Sequence, residues 1–384
     1  MSFPTILQVL PSLETGGVEQ TTLDIAEALL KKGVRALVAS QGGRLREPLE
    51  KLGALHFDLS LKSKNPWKIW RNSKILFNLV KEEKVSLIHA RSRAPAWSAY
   101  RAAQQACIPF VTTFHGTYNT SGLFKKEYNR IMTKGEVVIA NSKFIGQHIN
   151  SFYKTPFDKI RIIPRGVDLS VFDPQKISEA QKQTLRKEMG LPQETGYPLL
   201  ILPGRLTSWK GQMMFLEALH NLKTKNYFAL LVGDDQGRHE YRQQLEYFIM
   251  EKNLSDHVKI VGHRSDMPLV LSLADIVISA STDPEAFGRI MIEAFAMVKP
   301  VVAPDHGGAL EIVQDQINGF FFKARDTESL TEVLNVMLSL NKSERMKLGE
   351  AGRSRVETEF AKDIMCARTL DIYKEVLNEK NFSY

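Results

Sequence analysis

Short apolar runs alternate with longer amphipathic stretches along the first part of the chain. Runs of this length bounded by polar or turn-forming residues predict buried strands, and apolar residues spaced three or four apart predict helices. The strands fall at residues 6–10, 35–39, 86–90, 110–114, 137–140 and 160–163, and two of the helices at 20–32 and 66–83. Because buried strands joined by helices are typically parallel, the pattern predicts an α/β sheet covered by helices on both faces.

The alternation stops and then restarts further along the chain. Residues 172–198 are rich in turn formers around a short helical pattern, and strand-like runs return at 199–203, 227–232, 258–261, 276–279 and 300–303. Such a break predicts a domain boundary. We therefore expect an N-terminal domain at 1–175, a linker at 176–198, a C-terminal domain at 199–360, and a last helix at 361–384 that packs back toward the N-terminal domain.

The composition is that of an ordinary globular protein with more than one domain. Hydrophobic residues make up 43% of the 384 positions and charged residues 24%, so the chain can bury sizeable cores. The two cysteines, Cys107 and Cys366, lack the spacing of a zinc site or a disulfide framework, which favours a reducing cytosol. No apolar run approaches the roughly 18 residues of a membrane span. Pro4 and Pro11 interrupt the N-terminus, which predicts a strand and not a signal peptide. We expect a cytoplasmic protein, soluble or peripheral on the inner face of the plasma membrane.

Positive charge is concentrated in the N-terminal part of the chain. Residues 1–170 hold 25 Lys and Arg against 13 Asp and Glu, whereas the remaining residues hold 26 against 30. The segment 62–93 carries nine cations, with Trp67 and Trp70 among them. A basic, aromatic helix face of this kind favours an anionic membrane surface or an anionic glycolipid as a partner. The alternative is the solvated face of an ordinary helix in an α/β domain.

Two carboxylates eight positions apart, Glu285 and Glu293, flank the sequence Phe287-Gly288-Arg289. They follow the predicted strand 276–279 and lead into a helix, and open α/β sheets bind ligands beyond the carboxyl ends of their strands. Gly288 lets the backbone approach a ligand, and free N–H groups at the start of the helix can meet phosphate. The alternative is a loop acid followed by a solvated helix acid.

A second cluster, Gly204-Arg205-Leu206 with Lys210-Gly211, lies between the predicted strand 199–203 and the next helix. An arginine presents a planar fork of donors and a lysine a compact charge, so the pair suits the charge that develops on a departing diphosphate. The alternative is two solvated cations in a loop.

These segments, in their order along the chain, resemble the family-four glycosyltransferases of the GT-B fold, in particular the bacterial lipopolysaccharide and capsule type. Retaining members of that family carry a Glu-x7-Glu motif, and the chain has every element of it from Glu285 to Glu293. The resemblance extends from Gly16 to about Glu311. It implies an α/β protein with two Rossmann-like domains that face an interdomain cleft, and a retaining hexosyltransferase-type enzyme. The implied donor substrate is a UDP-, GDP- or ADP-sugar, with no cofactor and no metal.

The resemblance also implies roles for the residues that match the family pattern. The catalytic residues would be Glu285, beside the donor sugar, and His115, in contact with it. Arg205 and Lys210 would clamp the pyrophosphate. The implied donor-binding set is Gly16, Gly17, Arg205, Lys210, Phe287, Gly288, Arg289, Glu293 and Arg264, with Glu293 on the ribose and Arg264 in the loop that flanks the nucleobase. Segment 163–168 departs from the family pattern, because Arg165 stands where the family has Asn.

The acceptor is implied by a different segment. Residues 89–97 look like those of bacterial members linked to lipopolysaccharide or capsule assembly. Arg91 and Arg93 follow a predicted strand and are candidates to hold an acceptor phosphate or carboxylate. We therefore expect an anionic saccharide or glycolipid as acceptor, and no nucleic-acid partner.

Other enzyme classes fit the sequence less well. It contains no G-x-G-x-x-G fingerprint, no P-loop, no H-E-x-x-H motif, and no D-x-D pair of the kind with which many transferases of a different fold hold manganese. Two alternatives stay open: another GT-B enzyme, such as a sugar epimerase or phosphorylase, and a non-catalytic nucleotide-sugar binder. A non-catalytic binder would be expected to have lost one of Glu285, Arg205 and Lys210, and all three are present.

Overall fold

A computed structural model describes residues 4–14, 16–118, 123–193 and 196–379. The chain divides into two compact units. The first unit is formed by the residues up to Gly166 together with those from Lys362 onward, and the second is Val167–Ala361. Each unit is built around its own parallel sheet, which confirms the predicted α/β class with two Rossmann-like domains.

The sheet of the first unit is parallel throughout its described strands. These are β1 (Thr5–Val9), β2 (Arg35–Ser40), β3 (Leu55–Asp58), β4 (Leu87–Ala90), β5 (Phe110–Phe114), β6 (Val137–Ala140) and β7 (Ile160–Ile162). Their spatial order is β3-β2-β1-β4-β5-β6-β7. Strands β2 and β3 thus extend the sheet on one side of β1, and β4 to β7 extend it on the other side. The loops after β1 and β4 are therefore neighbours at the carboxyl edge of the sheet.

Helices connect these strands, and the sequence sets their boundaries locally. They are α1 (Gly17–Lys31), α2 (Arg46–Lys51), α3 (Pro66–Glu82), α4 (Arg93–Ala106), α5 (Leu123–Asn129) and α6 (Lys143–Tyr153). Helix α3 begins at Pro66, and the side chain of Asn65 accepts a hydrogen bond from the N–H of Trp67 at 2.9 Å. Its apolar positions Ile69 and Leu76 are buried, as an amphipathic helix on a sheet requires.

The second unit repeats this architecture. Its described strands are β8 (Leu199–Pro203), β9 (Phe228–Val232), β10 (Val258–Val261), β11 (Ile276–Ile278), β12 (Val301–Pro304) and β13 (Gly319–Phe322), in the spatial order β10-β9-β8-β11-β12-β13. Its helices are α7 (Glu179–Glu188), α8 (Gln212–Asn221), α9 (His239–Glu251), α10 (Met267–Leu273), α11 (Arg289–Ala296), α12 (Ala309–Ile312), α13 (Thr327–Ser339) and α14 (Lys342–Glu359). The strand order reverses between β8 and β11, so the loops after these two strands are neighbours.

Both faces of this second sheet are buried. Ile201 and Leu230 belong to one apolar cluster, whereas Leu200 and Leu202 belong to the cluster on the other side. Successive side chains of a strand point to opposite faces, so a strand covered on both sides needs an unbroken apolar run. This is why the central strands could be recognised in the sequence.

The stretch predicted as a linker, 176–198, contributes a helix to the second unit. Ser178 and Gln181 form a capping box that starts α7. Leu185 and Met189 then join the core of the unit. The structure therefore places the division of the chain at Gly166, ahead of the predicted linker, because α7 packs on α10 and its apolar residues belong to the core of the second unit. Residues 194 and 195 lie outside the described part of the chain.

The last helix, α15 (Lys362–Glu379), belongs to the first unit. Met365 and Leu377 pack in one apolar cluster with Leu23 of α1 and with residues of the sheet. The hydroxyl of Tyr373 lies 2.6 Å from Nδ1 of His89 on β4, which ties the helix to the sheet. Residues 380–384 of the predicted C-terminal segment lie outside the described residues. None of the described helices is both long and apolar enough to cross a membrane.

Candidate active site

Two predicted donor-site segments of the second unit meet at the edge of its sheet. Lys210 lies in the loop after β8 and Glu285 in the loop after β11, and these strands are neighbours. The Nζ atom of Lys210 is 2.7 Å from Oε1 of Glu285, and the two side chains are 16% and 17% exposed. The strand order reverses at this point, and open α/β sheets bind ligands at such a reversal.

Hydrogen bonds hold both the carboxylate and the backbone of Glu285. The hydroxyl of Ser281 donates to Oε1 of Glu285 at 2.5 Å. The backbone N–H of Gly308 donates to the carbonyl oxygen of Glu285 at 2.8 Å. Gly307 has a φ of +61°, and a Cβ atom there would lie 2.7 Å from the same carbonyl oxygen. Only glycine lets this turn approach the Glu285 loop so closely.

A tight turn positions Lys210. Residues 208–210 form one turn of 3-10 helix, and Gly211 follows with a φ of +73°. A Cβ atom at Gly211 would lie 1.8 Å from the carbonyl oxygen of Ala280, so the turn requires glycine. The ammonium nitrogen of Lys210 also lies 4.5 Å from the ring centre of Trp209, within the range of a cation–π contact. The lysine is thus oriented by both its turn and its neighbours.

The predicted donor residues 287–289 have different structural roles. The side chain of Phe287 is 3% exposed and packs on the ring of Phe360, with centroids 5.8 Å apart. It anchors the loop in the core, so a contact with donor would have to come from its backbone. Gly288 has a left-handed φ of +97° and directly precedes α11. Its conformation lets the chain turn into the helix that carries Arg289 and Glu293.

Arg289 and Glu293 pair with each other on one face of α11. Nη2 of Arg289 lies 2.8 Å from Oε1 of Glu293, and the Glu293 side chain is 13% exposed. Burial raises the pKa of Glu293, and the charge and hydrogen bond of Arg289 offset part of that rise. A carboxylate at this position is a good acceptor for hydroxyl groups.

The other two predicted cations of the second unit have different surroundings. Arg205 is exposed, and its carbonyl oxygen accepts a hydrogen bond from Nε2 of Gln212 at 2.9 Å. Arg264 is 2.5 Å from both Asp266 and Glu188, and these hydrogen bonds raise its pKa. The structure therefore engages Arg264 with carboxylates of the protein and presents Arg205 to solvent.

In the first unit, the predicted glycine loop leads into α1. Gly16 is extended, and α1 begins at Gly17. A Cβ atom at Gly16 would come within 2.4 Å of a carboxylate oxygen of Glu19. The first N–H groups of a helix have no partner within it, so this end of α1 can bind an anion. Residue 15 lies outside the described chain.

His115 lies after β5 and contacts Arg165, which lies after β7. Nη2 of Arg165 is 2.8 Å from Nδ1 of His115. Burial lowers the pKa of His115 well below its ordinary value, and the charges of Arg165 and Arg91 lower it further. The imidazole is therefore neutral at neutral pH.

The two predicted acceptor residues are placed differently. Arg91 is 3% exposed, and its Nε and Nη2 atoms donate to Oε1 of Gln8 at 3.0 and 2.6 Å. Its side chain is an internal group of the sheet edge, so we assign it no direct acceptor contact. Arg93 is half-buried, donates to Oδ1 of Asn129 at 2.9 Å and stacks on the ring of Tyr118 at 4.2 Å.

Sequence reasoning missed several residues that shape these sites. Ser281, Gly307 and Gly308 fix Glu285, yet none belongs to the segments singled out in the sequence. The glycine pair lies in the loop after β12, separated from the strand by Asp305 and His306, and that position was the available signal. Arg165 was noted only as a departure from the family pattern, whereas the structure places it against His115.

The described residues contain no group of three or more His, Cys, Asp or Glu side chains that could hold a metal ion. Activity without a divalent metal stays a prediction, to be tested by chelation.

Comparison with known proteins identifies the family. Residues 15–171 match the model of Glycosyltransferase Family 4, and residues 182–355 match that of Glycosyl transferases group 1. The crystal structure of a glycosyltransferase from Rickettsia africae ESF-5 is 38% identical, covers 98% of this chain and 99% of its own, and superposes with a TM-score of 0.91. This chain belongs to the family-four glycosyltransferases. The GT-B class and the transferase activity are thereby confirmed.

Two further relatives carry more specific names. The Anabaena protein Alr3699/HepE, solved in complex with UDP-glucose, shares the fold at 24% identity and a TM-score of 0.82, over 97% of this chain and 99% of its own. D-inositol 3-phosphate glycosyltransferase of Xylanimonas cellulosilytica is 26% identical over 77% of this chain and 73% of its own length. The roles of individual residues and the domain boundaries stay predictions.

Proposed function

We propose that this glycosyltransferase transfers a sugar from a nucleotide-sugar donor to an anionic saccharide or glycolipid, with retention of anomeric configuration. The observation that carries the proposal is the Lys210–Glu285 pair at the reversal of the second sheet, with its 2.7 Å contact. The complete Glu-x7-Glu motif around it supports retention by resemblance to the family.

Lys210 and Arg205 act on the diphosphate of the donor. As the glycosidic bond breaks, negative charge accumulates on the leaving nucleoside diphosphate. Lys210 is a compact cation beside the loop after β8, and the exposed Arg205 offers a planar set of donors to the same group. Charges already oriented before the reaction stabilise a leaving group best, because they need no rearrangement in the transition state.

Glu285 acts on the sugar. Without donor, its negative charge is balanced by Lys210. When Lys210 interacts with the diphosphate, the carboxylate is left less neutralised beside the sugar, where it stabilises the positive charge of an oxocarbenium-like centre. Ser281 and Gly308 keep the Glu285 loop in place during this exchange.

Glu293 holds the ribose of the donor through its hydroxyl groups. The carboxylate lies one turn into α11, with Arg289 as its partner. The glycine loop before α1 and His115 of the first unit also contact the donor, as the resemblance implies. The name of the Anabaena structure supports a uridine nucleotide as the first donor to test.

The acceptor is anionic in this proposal. Arg93 is the available cation after β4, because Arg91 is committed to Gln8. One relative is named for an inositol phosphate, which is an anionic acceptor. The similarity of segment 89–97 to bacterial lipopolysaccharide and capsule enzymes points to a cell-envelope saccharide or glycolipid.

We also propose that α3 docks on an anionic membrane surface. Its outward side carries Lys68, Arg71 and Lys74, which are exposed. Trp67 is 69% exposed and stacks on Trp70 with ring centroids 4.9 Å apart. We call these five residues the α3 basic face. Aromatic rings suit the headgroup region, and each cation near an anionic leaflet contributes about 1 kcal/mol.

A panel of nucleotide-sugars tests the proposal. UDP-, GDP- and ADP-sugars are incubated with the protein, with and without a chelator, and scored by donor hydrolysis and by thermal shift. We expect one nucleotide to raise the melting temperature and its sugar to be released slowly, with the chelator present. Reversible change of the sugar at C2 would favour an epimerase, and binding without any turnover in the presence of acceptors would favour a non-catalytic binder.

A further inference from the structure

Arg165 links three segments at the carboxyl edge of the first sheet. It follows β7, is 7% exposed, and stands where the family pattern has Asn. Nη1 donates to the carbonyl oxygen of Gly17 at 2.7 Å and to the hydroxyl of Thr21 at 2.5 Å. Nη2 is 2.8 Å from Nδ1 of His115. One side chain therefore connects the start of α1 to the histidine after β5.

This contact determines which nitrogen of His115 carries the proton. A guanidinium group is always protonated and has only donors, so Nδ1 of His115 must accept. A neutral imidazole that accepts at Nδ1 carries its hydrogen on Nε2. Nε2 of His115 is buried and makes no hydrogen bond of good geometry within the described residues, and the backbone of Arg91 is near enough to the ring to raise its pKa slightly as an acceptor.

His115 lines a small cavity. The cavity has a volume of about 20 Å³, and its lining includes His115, Arg91, Thr113, Asn141 and Arg165. Oδ1 of Asn141 is a second buried polar atom with no partner in the described structure. This space admits one water-sized group, such as a single hydroxyl.

Burial is the main cause that keeps the His115 ring neutral, and charged and titratable groups surround it. They are Arg165 after β7, Arg91 after β4, His89 on β4, Tyr118 in the loop of His115 itself, Tyr373 on α15, and Asp24 on α1 near Arg91. The positive charges of Arg165 and Arg91 lower the pKa of His115, so both oppose a second proton on the imidazole. The remaining lining of the cavity from α15 is Met365 and Thr369, which carry no charge.

We propose that Arg165 is a positioning residue that locks His115 as a neutral Nε2–H donor. His115 can then donate a hydrogen bond to a substrate oxygen, but it can act neither as a general base through Nε2 nor as an acceptor there. An Asn at position 165 would not impose this, because an amide can present either its oxygen or its nitrogen to Nδ1. The consequence for catalysis rests on the proposed function, whereas the tautomer itself does not.

NMR of the histidine ring tests the tautomer directly. The intact chain is labelled with ¹⁵N-histidine, and His115→Gln identifies its signals among the nine histidines. We expect the Nε2–H pattern throughout pH 5.5–8 in the native chain. Signals of an Nδ1–H ring at His115, or titration of His115 near pH 6.5, would overturn the proposal even if no variant of Arg165 folds.

Three variants separate positioning from simple structural support. Arg165→Lys keeps a donor-only cation, so the Nε2–H form should persist. Arg165→Met removes both the donor and the charge, so tautomers should mix and the pKa of His115 should rise toward its ordinary value. Thr21→Val removes another partner of Arg165 but leaves His115 in contact, and it should change only the melting temperature. An unaltered His115 in Arg165→Met would overturn the proposal.

Kinetics then connect the tautomer to turnover. In the native enzyme, kcat should show no ionisation from His115 between pH 5.5 and 8. In Arg165→Met, kcat should gain an acid limb as His115 becomes protonated, and Arg165→Lys should lack this limb. An identical pH profile in Arg165→Met would show that the contact is not used in catalysis. If no sugar transfer is found with any donor while the ring signals are as expected, the proposed function fails and the positioning inference stands.

Discussion

At the scale of single residues, the candidate donor site of the second unit contains an ion pair. In our proposal its two members act on different parts of the donor. Lys210 neutralises Glu285 in the protein without ligand, yet both are needed by different parts of the donor. Their side chains are largely buried, so the loss of either leaves the other charge poorly solvated. The clearest tests therefore change one charge while keeping the shape.

Glu285→Gln should abolish transfer while the fold survives. The amide keeps the shape and can still accept from Ser281, but it loses the negative charge that stabilises the sugar. We expect kcat to fall by at least about 100-fold, the size of effect seen when one electrostatic group is removed from an active site. Circular dichroism reports the fold, and Glu332→Gln on the exposed side of α13 is the matched control. Turnover near the native rate would remove Glu285 from the site.

Arg205→Ala and Lys210→Ala should mainly lower kcat. The charge on the leaving diphosphate is greatest in the transition state, so the loss of a cation costs more there than in the bound ground state. Steady-state kinetics at varied donor concentration separates kcat from KM. Lys223→Ala, at an exposed lysine of the same unit, controls for loss of a positive charge. Unchanged kcat/KM in both variants would show that the clamp lies elsewhere.

The sequence predicted the residues at this scale only where a pattern of several residues marked them. Glu285, Glu293, Arg205 and Lys210 belong to ordered motifs. Arg165 could not be assigned, because its partners lie 50 and 144 positions away and the contact exists only in the folded chain. Phe287 belongs to the motif, yet its side chain is a core residue, and a linear pattern does not distinguish these roles.

At the scale of elements, α3 has one buried side and one exposed basic side, and we propose that the exposed side docks on a membrane. The α3 basic face should bind vesicles that contain anionic lipid and not neutral ones, and salt should weaken binding because exposed charges are screened. Co-sedimentation measures this. Reversing Lys68, Arg71 and Lys74 to Glu should abolish binding while transfer to a soluble acceptor persists.

A variant with the same change in net charge provides the control for α3. Lys187→Glu, Lys223→Glu and Lys347→Glu alter three exposed lysines of the second unit. This variant should still bind the anionic vesicles. Equal loss of binding in both variants would mean that only total charge matters, and equal binding to neutral vesicles would remove the docking proposal.

Most strands were predicted from the sequence, and the two exceptions, β3 and β13, are both edge strands. β3 has exposed or half-buried residues throughout, and β13 has two half-buried phenylalanines between buried ends. An edge strand is less completely covered than a central one, so β3 need not be a continuous apolar run, whereas β13 is apolar and this reason does not explain why it was missed. Helix α7 was not assigned to a domain from the sequence, because only its contacts show which unit it belongs to.

At the scale of the whole molecule, two buried histidines should make the fold sensitive to acid. Burial lowers the pKa of both His89 and His115 well below 6.5. Below about pH 6.5 the unfolded chain binds protons that the folded chain does not, so the free energy of unfolding falls as the pH falls towards the folded pKa values. Above that pH both histidines are neutral in the folded and in the unfolded chain, so they do not make the free energy of unfolding depend on pH. Below that pH each histidine should change the free energy of unfolding by up to about 1.4 kcal/mol per pH unit.

Denaturant titrations between pH 7.5 and 5.5 measure this slope. His89→Gln should reduce the fall in the free energy of unfolding over this range, whatever its effect at pH 7.5. An unchanged slope in His89→Gln would contradict the assignment.

The return of α15 to the first unit has a consequence for how the protein is made. The second unit, Val167–Ala361, is an insertion within the first, and its two ends are joined, since the N–H of Val167 donates to the carbonyl oxygen of Phe360 at 2.9 Å. A ribosome therefore synthesises every residue of the second unit before it makes the helix that covers the first sheet. Domains usually fold in the order of synthesis. Here the domain that begins the chain is the last that can be completed, and until then the apolar surface reserved for Met365 and Leu377 stays uncovered.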